Sequence, residues 1–314
     1  MPLPVTYRPC PGKVKYTKIR VMKISTLFDE FCDNYEWLVS VARPAEGNRF
    51  ADVKSQLENV ARNYDADTNR ITKEFPAKDL FLTAFEAKRF NMAIGYLRTL
   101  NRHHLPIAKI RSMCKGPQYH VEEIASIGNS EGRDIQFEFI VSAFLEKSGF
   151  QVREFDDIQI SYASSLIRFE CKRPASKRNV GARFGEAVSQ LEGKIESQEN
   201  EYGIVALSAE KMGNFDENFF VGDDINAANN MLIQIKNAVV KDLRPSLRIS
   251  ARKKILGVHL FVSTFLWDRA SGNFMDVVDV FTEKAIQQPS TPLHDYLFGL
   301  VTQGLEKGAR KWTY

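Results

Sequence analysis

From Ser25 onward the apolar positions set the pattern. Leu27, Phe28, Phe31, Trp37, Leu38 and Val41 recur mostly at helical spacing, and Pro44 ends the run. Val53, Leu57, Val60 and Ala61 make a second amphipathic stretch, 80–100 a longer and more apolar one, and 107–113 a short one. Residues 25 to about 115 therefore read as all helical. Ahead of them, Pro2, Pro4, Pro9 and Pro11 block helix, so residues 1 to about 24 are expected to be irregular or partly extended.

The period changes near Gly128. A helix is expected over 133–147, closed by Gly149 at the place of a C-terminal cap. Short extended segments follow near 150–155, 157–162 and 166–172, then a helix over 183–197 and a strand over 203–208. A helix near 225–241 precedes two extended apolar runs, 255–266 and 274–281, and 294–305 reads as a last helix. Helix, three strands, helix, strand is the order of an α/β fold, a mixed central sheet flanked by helices. The expected division is a helical N-terminal region over 1–125 and an α/β domain over 126–314.

Chemistry concentrates in 155–174, FDDIQISYASSLIRFECKRP. Side chains alternate along a strand, so Ile158, Ile160 and Tyr162 share one face and Asp157, Gln159 and Ser161 the other. On the next strand Ile167, Phe169 and Cys171 are apolar partners, while Arg168, Glu170 and Lys172 share the opposite face. A hairpin turning at Ala163-Ser164 sets Asp157 opposite Glu170, because paired residues point to the same side. Two opposed carboxylates repel, and a hard cation between them removes the conflict. Lys172, two residues beyond Glu170, offers an ammonium for a phosphate oxygen or an attacking water.

This arrangement of Asp157 followed by Glu170-Cys171-Lys172 resembles the PD-(D/E)xK (restriction-endonuclease-like) nuclease superfamily. Asp156 stands where that motif usually has its Pro. The resemblance implies a restriction-endonuclease-like core and a catalytic set of Glu138, Asp157, Glu170, Lys172 and Gln190. Glu138 would lie on the preceding helix, beside Ile135, Val141 and Leu145; Gln190 would lie on the following one. Asp157, Glu170 and Glu138 would hold Mg²⁺, with Mn²⁺ as a substitute, for Mg²⁺-dependent hydrolysis of DNA. Such nucleases often act as homodimers. Glu-x-Lys alone is an ordinary exposed-strand pattern; the order of all five residues on successive elements carries the reading. The alternative is a non-cleaving nucleic-acid-binding or assembly protein that retains the fold.

The 314 residues carry a formal net charge of +4, mildly basic. The charge clusters where it matters: Arg173, Lys177, Arg178 and Arg183 follow Lys172, and a second run spans Arg244, Arg248, Arg252, Lys253 and Lys254. The first group is expected to contact nucleic-acid phosphates. Cys10, Cys32, Cys114 and Cys171 form no C-x-x-C pair, which argues against a zinc knuckle and for a reducing compartment. No apolar run approaches the ~18 residues of a membrane span. With no apolar core for a secretory signal either, a cytoplasmic location is expected.

Overall fold

A computed structural model describes residues 19–21, 24–65, 70–71, 77–123, 130–154, 158–195, 199–211, 220–222, 225–250, 254–268, 273–285 and 292–312. The first part is strand β1 (Ile19–Val21), helices α1 (Ile24–Ala42) and α2 (Arg49–Asn63), a small hairpin β2 (Tyr64–Asp65) and β3 (Arg70–Ile71), and helices α3 (Ala77–Leu97) and α4 (Ile107–Met113). The second is α5 (Glu131–Lys147), β4 (Val152–Glu154), β5 (Ile158–Tyr162), β6 (Ser165–Lys172), α6 (Val180–Ile195), β7 (Glu201–Ser208), β8 (Phe220–Gly222), α7 (Ile225–Ser250), β9 (Ile255–Asp268), β10 (Asn273–Lys284) and α8 (Pro292–Trp312). The chain is thus α/β, with a mixed sheet flanked by helices and a helical N-terminal region.

The strand order is β1-β10-β9-β7-β6-β5-β4, and β8 pairs with the far end of β9. β6, β7 and β9 run parallel, joined through α6 and α7; β4, β5 and β6 form an antiparallel meander. β7 lies at the centre and is buried from Tyr202 through Ser208, as expected of a parallel strand covered on both faces. Its period of two divides the core. Tyr202, Ile204 and Ala206 join the cluster under α5 and α8; Val205 and Leu207 join the cluster under α6 and α7.

α1 buries Ile24, Leu27, Phe31, Leu38 and Ala42 along one stripe. α3 and α5 are buried nearly all round because α5 lies between the sheet and α3, and α3 between α5 and the outer helices. One hydrophobic cluster runs unbroken from α1 through α3 and α5 to β6 and α8. β1, from the N-terminal region, pairs with β10. The helical region and the sheet therefore share one core.

A buried ionic network crosses the same junction. Glu86 of α3 accepts from Arg133 of α5 and from the His120 backbone N–H at 3.1 Å, with Arg49 Nη1 at 3.8 Å. Glu123 accepts from both terminal nitrogens of Arg173 at 3.2–3.3 Å, and Arg89 of α3 pairs with Glu210 beyond β7. Burial by itself raises the Glu86 carboxyl, but Arg133, the His120 hydrogen bond and Arg49 outweigh it and hold it well below the usual carboxylate range.

One local expectation meets the structure closely and another does not. Gly149 has φ +93 and closes α5 with Gly149 N–H to Glu146 O at 2.8 Å and Phe150 N–H to Leu145 O at 3.1 Å, a Schellman ending. α7 outruns its expected end at 241 and continues through Pro245. The apolar stripe of Leu232, Ile235 and Val239 extends to Leu243 and Leu247, and Pro245 faces solvent, so packing outweighs the lost hydrogen bond.

Candidate active site

The hairpin of β5 and β6 turns at Ala163-Ser164, with Ala163 at φ +51. Tyr162 pairs with Ser165 and Ile158 with Phe169, the register that the facing argument uses. Ile158, Ile160, Ile167 and Phe169 are buried on one face; Arg168, Glu170 and Lys172 are half-buried on the other. Asp157, with Asp156, lies outside the described residues.

Beyond Phe169, β6 continues against β7, with Glu170 opposite Val205 and Lys172 opposite Leu207. A cleft of about 440 Å³ opens beside this stretch. Its lining includes Glu138 of α5, Glu170 and Cys171 of β6, and Gln190 and Lys194 of α6, over a floor of Ile158 and Phe169. Glu138, Glu170 and Gln190, which lie far apart in sequence, thus share one cavity. Lys172 stands beside that lining, with Nζ 3.1 Å from Glu170 Oε1 and 3.2 Å from Glu186 Oε1.

Cations bracket the cleft carboxylates. Lys194 Nζ donates to Glu170 Oε2 at 3.2 Å, and Lys109 of α4 donates to Glu138 Oε2 at 3.3 Å. Burial holds the Glu138 carboxyl above its ordinary range; Lys109 opposes this, and the charges of Glu170 and Asp134 add to it. A hydrogen bond from Arg183 and the nearness of Lys172 pull Glu186 below its own range. Lys109, Glu186 and Lys194 lie outside the motif that the sequence shows. For two of these a signal existed, because Glu186, Gln190 and Lys194 are spaced four apart along one edge of α6.

The expected phosphate contacts divide. Lys177 and Arg178 are exposed on a 3-10 turn before α6, and Arg183 is exposed while bonded to Glu186 at 2.7 Å. Arg173 is different. Its side chain is 3% exposed and is held by Glu123 and by Asp134 at 3.2 Å, so its charge faces the interior and not a ligand outside. Alternation explains this: Arg173 has the parity of Phe169 and Cys171, the inward face. In the second basic run Arg244 is exposed on α7, while Arg252 and Lys253 lie outside the described residues.

Among the described residues no three His, Cys, Asp or Glu side chains group as a metal-ligand set. The described acids of the cleft are Glu138 and Glu170, whose like charges act on each other across it. Carboxylate pairs of this kind suit a hard divalent cation. No described helix is long and apolar enough to cross a membrane. Comparison with family models, curated proteins and solved structures yields no match.

Proposed function

We propose that this protein is a Mg²⁺-dependent nuclease that hydrolyses phosphodiester bonds of DNA at the cleft between α5, β6 and α6. The observation that carries the reading is the meeting of Glu138 and Glu170, from different elements, in one polar cavity with Lys172 beside Glu170. Glu170 and Glu138, with Asp157, are the residues that would hold Mg²⁺ or Mn²⁺. A cation bound there supplies a water of lowered pKa and stabilises charge on the phosphoryl oxygens. Lys172 neutralises a phosphate oxygen or orients the attacking water. The Gln190 amide, exposed in the cleft, donates to substrate or water. Lys177, Arg178 and Arg183 form an exposed cationic margin that suits a phosphate backbone. A restriction-endonuclease-like core is part of the same proposal, supported by the β5–β6 register and the parallel β6-β7 pair connected through α6.

The test is incubation of purified protein with circular and linear, single- and double-stranded DNA, with Mg²⁺ or Mn²⁺ and with chelator. Nicked or linearised circles that require the cation are expected. Intact substrates under every condition would remove the proposal. The bracketing of Glu170 by Lys172 and Lys194 favours a second reading, a protein that binds nucleic acid without cutting. DNA retention with no cleavage and no Mn²⁺ binding would select it.

A further inference from the structure

The helical region reaches the cleft-lining Glu138 through Lys109 of α4, whose Nζ donates to Glu138 Oε2 at 3.3 Å. The Lys109–Glu138 pair is about one-third exposed on each side, so it sits at the rim and not in the core. The small helix that carries it is held from three directions. Ile110 and Met113 are buried, Arg111 Nε donates to Ala42 O of α1 at 2.7 Å, and Arg49 Nε of α2 donates to Met113 O at 2.9 Å. On the third side, Gly132 lets the start of α5 approach the carbonyl oxygens of Ser112 and Lys115, where any Cβ would collide. A seven-residue helix has too few hydrogen bonds to be rigid by itself, so these contacts fix where Lys109 emerges.

We propose that Lys109 is a positioning residue of the cleft, pinning Glu138 through one carboxylate oxygen and leaving the other to a ligand of the cleft. This rests on the metal-dependent nuclease reading. An unpinned glutamate sweeps through several rotamers, and a ligand must order it on binding. A hydrogen bond to one oxygen orders it in advance, as outer partners do around metal-binding carboxylates. The N-terminal helices then have a definite task, which is to aim a side chain of α5.

The experiment uses the full chain and two readouts, Mn²⁺ binding by calorimetry and DNA cleavage. Lys109→Ala, Lys109→Arg, Glu138→Gln and the Lys109→Ala/Glu138→Gln double variant are compared. Lys109→Ala is expected to weaken both readouts by about tenfold or more, within the range for outer-shell partners. Its thermal midpoint should stay close to wild type, because a partly exposed ion pair contributes little to stability. Lys109→Arg should recover most of the loss, and Lys109→Ala should add nothing in the Glu138→Gln background. Wild-type behaviour of Lys109→Ala, or simple addition of the two single effects, overturns the inference and leaves the nuclease reading intact. A wild type that neither binds Mn²⁺ nor cuts overturns both.

Discussion

Replacing Glu86 by Gln tests whether the helical region and the sheet are held as one body by their buried charges. Glu86 is fully buried and faces Arg133, Arg49 and the His120 N–H. The amide keeps the size of the side chain and removes the charge, so inside the core Arg49 loses the carboxylate 3.8 Å away and Arg133 keeps only Glu123, at 3.2 Å. Breaking a buried ion pair from one side typically costs about 3–5 kcal/mol. For a chain of this length, about 4 kcal/mol corresponds to a fall in Tm of roughly 6 °C. Thermal and urea unfolding, followed by far-UV circular dichroism, would measure it. Glu58→Gln is the control, since Glu58 pairs with Arg62 at 2.5 Å on an exposed face of α2 and should change almost nothing. The pH dependence has a definite sign. The Glu86 carboxyl is depressed below its ordinary 4.5, so its stabilisation is present above that pH and is lost as pH falls further. Glu86→Gln should remove that part of the acid sensitivity. A variant within 1 kcal/mol of wild type, on the scale of a single weak hydrogen bond, would refute the account of the junction.

Three further outcomes follow from single side chains. His259 is buried between Phe169 and Phe298, neither ring nitrogen has a hydrogen-bond partner among the described residues, and burial pushes its pKa from 6.5 down to about 3. The unfolded chain then binds the extra proton first, so stability should fall as pH drops below 6.5, by roughly 2 kcal/mol at about pH 5; His259→Leu should flatten that slope in urea titrations. Ala163 sits at φ +51 in the hairpin turn, where Gly carries no Cβ penalty, so Ala163→Gly should stabilise by up to about 1 kcal/mol; a loss would contradict the turn geometry. Arg178→Ala should weaken DNA binding and reduce its salt slope by about 1, whereas Arg173→Ala should lower Tm; the reverse assignment would contradict the placement of both residues.

Features set by neighbours in sequence were the legible ones. The α5 cap at Gly149, the helical stripe of α1 and the β5–β6 register all follow from local spacing. So does the shared face of Glu170 and Lys172, because strand parity needs only the turn position. Features set by distant neighbours were hidden. Nothing near Lys109 in sequence points to Glu138, and the pairing of β1 with β10 spans almost the whole chain. α7 passes Pro245 because the surface it covers continues, which no local propensity states. Arg173 is the instructive case. It sits in a run of cations that reads as a phosphate contact, while parity already turned it inward toward Glu123 and Asp134.

The assignment of the cleft is tested most directly by the Mg²⁺-dependent nicking rate of supercoiled plasmid by wild type and Glu170→Gln, both shown to be folded by circular dichroism. Cation-dependent nicking by the wild type is expected, with a loss of at least about a hundredfold in the variant, beyond the usual effect of outer partners. Equal nicking rates for the two proteins would contradict it.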